Sequence, residues 1–134
     1  MRGEAPVLAL LDRALRGLAA DQGWALYLGG GKSLTRFANN AIHQNVTEET
    51  GEVILAALVG KRMGVATTSA LTAAGLRRCA RQAAELAQRT PENPDFKSLP
   101  SPQPVPALDT FDEATAACTP IQRAEAIRGF VDRA

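Results

Sequence analysis

Hydrophobic positions along the chain change period twice, and those changes divide it into elements. Leu8, Leu11, Leu15 and Leu18 recur at helical spacing, with Asp12, Arg13 and Arg16 on the opposite side. Apolar residues three and four apart mark a helix with one face toward a core. The spacing predicts an amphipathic helix from about Pro6 to Asp21, ended by Gly23. From Trp24 the period shortens to that of strands. Residues 24–28 read as a strand, Gly29-Gly30-Gly31 as a turn, and residues 33–38 as the hairpin partner. Asn39-Asn40 can enter left-handed geometry cheaply, and residues 42–47 follow as a polar strand. Residues 52–59 form an unbroken apolar run, which suggests a central strand covered on both faces. Residues 60–64 are the next turn and 65–68 the last strand. Connections this short require antiparallel pairing, because a parallel crossover needs a dozen or more residues.

Helical spacing returns from Thr72, a favourable N-cap, to about Arg89. Leu76, Cys79, Ala80, Ala83, Leu86 and Ala87 make its buried stripe, and Pro91 and Pro94 prevent continuation. Residues 98–106 hold four prolines, the composition of an extended, semi-rigid connector. Thr119-Pro120-Ile121-Gln122 starts another helix with a threonine cap, a proline in the first turn and a capping glutamine. Ile121, Ala124, Ile127 and Val131 lie on one face, and the pattern still runs at Ala134, so this helix reads as severed. The expected fold is therefore α+β: a helix, a four- or five-stranded antiparallel sheet, a helix packed on that sheet, and a truncated third helix. Residues 1–97 would be an N-terminal domain, 98–108 a proline-rich linker, and 109–134 the start of the next segment.

Composition narrows the partners. Hydrophobic residues make up 46% and aromatic residues only 4%, so alanine and leucine must fill the interior. The net charge of +1 lacks the basic excess of a duplex-binding domain, and direct nucleic-acid binding is not expected. Cys79 and Cys118 are too far apart in sequence for a disulfide framework and suit a reducing compartment. The N-terminal apolar stretch is broken at Asp12-Arg13, unlike a signal peptide, and no apolar run approaches the roughly 18 residues of a membrane span. The cytoplasm is the expected location.

Motifs for chemistry are sparse. Gly31-Lys32-Ser33 resembles the end of a phosphate loop, but Leu26 stands where the first glycine belongs and a strand follows instead of a helix. His43 is the sole histidine, whereas a zinc site needs three or four ligands. Neither cysteine is near it in sequence, and no Ser-His-Asp or Cys-His arrangement has support. No catalytic, cofactor-binding or metal residue is assigned. Arg77, Arg78 and Arg81 read as a solvated helix face, and the Asn45-Val46-Thr47 sequon has no secretory signal to give it meaning. The polar strand around residues 39–45 is the least generic feature. It is either an edge facing water or a surface for a subunit or an extended peptide, since open edges recruit strands.

The string Thr35-Arg36-Phe37-Ala38-Asn39-Asn40-Ala41-Ile42-His43-Gln44-Asn45 also carries a resemblance. With Gly51, Gly60, Gly64-Val-Ala-Thr-Thr68 and the alanine-rich helix leading to Pro91-Glu92-Asn93-Pro94-Asp95-Phe96, it resembles the N-terminal region of the TldD/PmbA family. Members of that family are often labelled modulators of DNA gyrase. The resemblance implies a cytoplasmic protein of several hundred residues, with zinc, where present, held by His-Glu-x-x-x-His in a later β-rich domain. TldD-type subunits are metallopeptidases, and PmbA-type subunits lack the motif and pair with a TldD-type subunit. Here Gln44 and Asn45 follow His43, so no family metal ligand carries over. The Asn-Asn-x-Ile-His-Gln string is closer to the PmbA-type branch. The resemblance makes Arg36, Phe37, Asn39, Asn40, Ile42, His43 and Gln44 the candidate interaction residues. It also implies a second TldD/PmbA-type subunit and an extended peptide as partners of a non-catalytic domain. The alternative is a self-contained regulatory module acting on DNA gyrase or another protein. Arg36, between Leu34 and Phe37, should point outward or meet Glu48 or Glu52.

Overall fold

The computed structural model describes residues 3–106 and 108–133. In chain order the elements are α1 (Glu4–Arg16), β1 (Gln22–Ala38), β2 (Ala41–Val59), β3 (Arg62–Thr68), α2 (Ala73–Arg89), α3 (Glu113–Ala116) and α4 (Pro120–Val131). The strands make one antiparallel sheet in the order β1-β2-β3. The α+β class holds, but there are three strands and not four or five.

The strand count differs because two glycine-containing stretches that read as turns are extended. Gly30 has φ 159°, close to fully extended, and β1 runs straight through Gly29-Gly30-Gly31. The glycines of this region make room for a ring. A Cβ on Gly29 would lie 2.4 Å from the Tyr27 hydroxyl, and one on Gly51 would lie 2.7 Å from it. The Glu49-Thr50-Gly51 stretch is accordingly strand as well, so β2 is continuous from Ala41 to Val59. True reversals occur at Asn39-Asn40, with φ of 50° and 56°, and at Gly60-Lys61, with φ 58° at Gly60. Positive φ at both central residues, as at Asn39-Asn40, is a signature of a two-residue turn whose twist matches that of the strands, and in the second turn Gly60 alone supplies it. The second turn is shorter than the sequence suggests: Val59 pairs with Arg62, and the ladder continues to Val53 opposite Thr68.

Helix α1 also departs from expectation. It ends at Arg16 with Gly17 as its cap, and Gly23 lies inside β1. A Cβ on Gly23 would sit 2.3 Å from a Leu18 methyl, so this glycine clears space for Leu18 rather than stopping a helix. The buried face is Leu10 and Ala14, while Leu8 and Leu15 are exposed. The rotation follows from the neighbour: Leu10 and Ala14 join Val53, Leu55, Leu76, Cys79 and Ala80 in one cluster, where small α2 residues admit a close helix. Helix α2 starts as predicted, with the Thr72 hydroxyl accepting from the Gly75 N–H at 3.1 Å. Its buried stripe includes Ala84, whereas Leu86 is exposed.

β2 supplies the centre of the core. Val53, Leu55 and Ala57 pack against the helices, and Ala56 and Leu58, pointing the other way by strand alternation, are buried too. Both faces of this stretch are covered, as its unbroken apolar run requires. Residues after α2 are tied to the sheet at two points. Asn93 N–H donates to the Lys61 carbonyl and Lys61 Nζ to the Pro94 carbonyl, while Leu99 N–H donates to Gln22 Oε1. Arg62 and Glu92 form an ion pair at 3.2 Å.

The chain divides into two compact units. One holds the chain up to Gly30 with Glu49–Ser101, and the other holds Gly31–Glu48 with the chain from Pro102 onward. The first unit contains α1, the three-stranded part of the sheet and α2. The second contains the far half of the β1–β2 hairpin with α3 and α4. Residues 98–106 form neither helix nor strand. Among the described residues no helix is long and apolar enough to cross a membrane.

Candidate functional site

The second unit contains every candidate interaction residue, Arg36, Phe37, Asn39, Asn40, Ile42, His43 and Gln44. β3 stops with Thr68 opposite Val53, so residues 41–52 of β2 have β1 on one side and no strand on the other among the described residues. Residues 31–38 and 41–48 are therefore a two-stranded ribbon with open backbone edges. Cross-strand polar pairs stitch it: Ser33 and Thr47 hydroxyls lie 3.3 Å apart, and Thr35 Oγ1 donates to Asn45 Oδ1 at 2.5 Å. Such pairs contribute a few tenths of a kcal/mol each, up to about 1 kcal/mol.

Asn39 and Asn40 form the ribbon's turn, where asparagine tolerates the left-handed conformation better than most residues. Arg36, His43 and Gln44 are exposed, Phe37 is 51% exposed and Ile42 38%. Arg36 faces outward, and no ion pair among the described residues includes it, so neither Glu48 nor Glu52 is its partner.

Helix α4 packs against this ribbon. Its start is the predicted capping box: Thr119 Oγ1 accepts from the Gln122 N–H at 3.2 Å, and Gln122 Oε1 accepts from the Thr119 N–H at 2.8 Å. One turn in, Arg123 Nε donates to Thr35 Oγ1 at 3.2 Å and Nη1 to the Cys118 carbonyl at 2.7 Å. Its Nη2 is buried with no partner among the described residues. The Arg123–Thr35–Asn45 chain clamps helix to ribbon, and sequence reasoning missed Arg123. Nothing in the local pattern singles it out, because its partner lies 88 residues away.

Between ribbon and helix lies a groove of about 410 Å³. Asn40 and Ile42 line it from the ribbon, Ile121, Ala124 and Val131 add apolar surface from α4, and Glu125, Arg128 and Asp132 add charge. Of the candidate residues the structure brings Asn40 and Ile42 into this groove. Arg36, Phe37, Asn39, His43 and Gln44 share the ribbon but not the lining. An apolar strip edged by opposite charges thus runs beside an open strand.

The described residues do not fit a zinc ion. No group of three or more histidine, cysteine or carboxylate side chains comes together among them, and His43 is exposed on the ribbon. Three shifted groups lie elsewhere, one of them Arg16, whose guanidinium pKa is raised by its hydrogen bond to Asp12. The Thr115 side chain and backbone hold the Asp112 carboxyl below its usual range at the α3 cap, and burial pushes the Cys79 thiol up.

Residues 24–87 match the family model for PmbA/TldA metallopeptidase domain 1. Among solved structures, TldE from Thermococcus kodakarensis aligns with a TM-score of 0.75 at 18% identity, covering 92% of this chain and 27% of that one. A candidate modulator of DNA gyrase from Bacteroides thetaiotaomicron aligns with a TM-score of 0.71 at 16% identity, covering 95% of this chain and 29% of that one. At such identities these two likenesses establish the fold. The chain spans less than a third of the length of either structure. No curated protein matches it. The matched stretch runs from Trp24 near the start of β1, through the ribbon and β3, to Ala87 near the end of α2, and over these residues the chain matches the first domain of the PmbA/TldD family.

Proposed function

We propose that this domain is a non-catalytic part of a TldD/PmbA-type peptidase assembly, where the ribbon serves subunit pairing and the access of an extended peptide. The observation that carries this reading is the open 41–48 edge of β2 beside the Ile42–α4 groove. An open edge gives a partner backbone its hydrogen bonds, and an adjoining apolar groove gives one or two of its side chains a seat. Any zinc-dependent step belongs to residues of a catalytic family member outside those described, and the PmbA-type branch, a partner subunit, is the better fit to the Asn39-Asn40-Ala41-Ile42-His43-Gln44 string.

A photoreactive amino acid placed at position 43 or 44 of the purified protein tests the reading. With the partner subunit and a labelled extended peptide present, covalent products with either are expected. Efficient capture from positions elsewhere in the assembly, with none from 43 or 44, would show that the ribbon has no such role.

A further inference from the structure

The first unit has a sheet edge of its own. β3 pairs with β2 along all seven of its residues, and no described strand lies on its other side. In an antiparallel ladder, alternate residues turn their N–H and C=O groups away from the neighbour already paired. Native edges are commonly blunted by charges, proline or a bulge. After Arg62, β3 reads Met-Gly-Val-Ala-Thr-Thr and carries no charge and no proline. Helix α2 lies against this strand at Gly64, where an added Cβ would be 2.2 Å from the Ala83 carbonyl oxygen and the Ala87 nitrogen. Beside it, Ala66 and Thr67 of β3 and Gln82, Glu85, Leu86 and Arg89 of α2 line a groove of about 330 Å³. Leu86 is 46% exposed there although its neighbours Ala83 and Ala87 are buried. The rim charges are unequal. Glu85 is engaged by Arg81 at 3.7 Å, whereas no ion pair among the described residues includes Arg89.

We propose that this groove binds an acidic extended peptide as a fourth strand on β3, with an apolar side chain against Leu86 and a carboxylate against Arg89. The inference rests on the peptide-handling reading above and adds a substrate class and a second contact surface to it. The backbone edge demands an extended occupant, Ala66 and Leu86 favour an apolar side chain, and Arg89 favours an acid.

The test is fluorescence anisotropy on the purified protein with a labelled ten-residue peptide carrying valine and glutamate two positions apart, hence on one face of the strand. Leu86→Asp and Arg89→Glu, both at exposed positions, are each expected to weaken binding tenfold or more. Replacing the peptide glutamate by lysine should restore binding to Arg89→Glu, and Arg77→Glu, the same charge change elsewhere on α2, should leave it unaltered. Absence of binding by the unsubstituted protein, or binding indifferent to Leu86→Asp and Arg89→Glu, overturns the proposal. So does conversion of an oligomer to a monomer by Leu86→Asp without peptide, which would make another copy the occupant. The ribbon reading fails on a different readout, the crosslink from positions 43 and 44, so the two failures are distinguishable.

Discussion

Gly64 shows how much a single hydrogen atom decides at the closest approach of α2 to the sheet. An alanine methyl there would meet two backbone atoms of the helix at 2.2 Å, and neither can rotate away as a side chain could. Gly64→Ala should lower stability by about 3 kcal/mol, the upper end of overpacking costs, seen as a reduced urea midpoint at unchanged slope. Gly31→Ala, where an added Cβ has nothing within 4 Å, is the matched control with little expected change. The two cysteines differ in the same local way. Cys79 is buried and its thiol is pushed up by desolvation, so little thiolate forms at neutral pH, whereas Cys118 is half-buried. Thiol titration of the native protein should label Cys118 first, with Cys79 reacting only on unfolding. Equal rates would show that the α2 core opens readily. Sequence reasoning located both thiols but saw Gly64 only as part of a turn, because its function depends on a helix that arrives twenty residues later.

Among the elements, the helix starts were legible because caps are local. Thr72, and Thr119 with Pro120 and Gln122, meet the requirements of a first turn within four residues. The short helix α3 is capped by Asp112, whose Oδ1 accepts from the Thr115 N–H at 2.6 Å, and it is too short to show a helical period in the sequence. Thr115 stabilises the ionised carboxylate and lowers its pKa, so the cap is fully present above the ordinary aspartate range. It is lost as pH falls through the depressed folded value. The Thr115 amide should be protected from exchange at neutral pH and lose protection in acid below about pH 4, and Asp112→Ala should remove that pH dependence. Protection unchanged from neutral pH to strong acid would refute the assignment. Strand boundaries were harder to read. Gly29-Gly30-Gly31 has the composition of a turn, yet Tyr27 covers Gly29 and Gly51 and the chain stays extended through both stretches. The face of α1 was misread for a related reason: Leu8, Leu11, Leu15 and Leu18 fit a helix stripe, but only α2 could select Leu10 and Ala14.

For the whole molecule, the family match over residues 24–87 gives the chain its place, and the chain spans less than a third of the two solved structures it aligns with. The proposed role of the ribbon in subunit pairing is tested at this scale. Because Arg36 faces outward and forms no described ion pair, Arg36→Ala should leave the far-ultraviolet spectrum and melting temperature unchanged. Pairing with a second subunit should weaken about tenfold, equivalent to about 1.4 kcal/mol, in an analytical ultracentrifugation titration. Unfolding of the variant at room temperature would instead make Arg36 a structural residue. By itself the sequence determined the α+β class, the covered central strand, the helix caps and the likeness to the PmbA/TldD first domain, since each is written in residues close together in the chain. Only the tertiary structure decided that five strand-like stretches become three strands, which face of α1 is buried, and that Arg123 reaches Thr35. Those outcomes depend on contacts between residues far apart in sequence, whose partners no local pattern names.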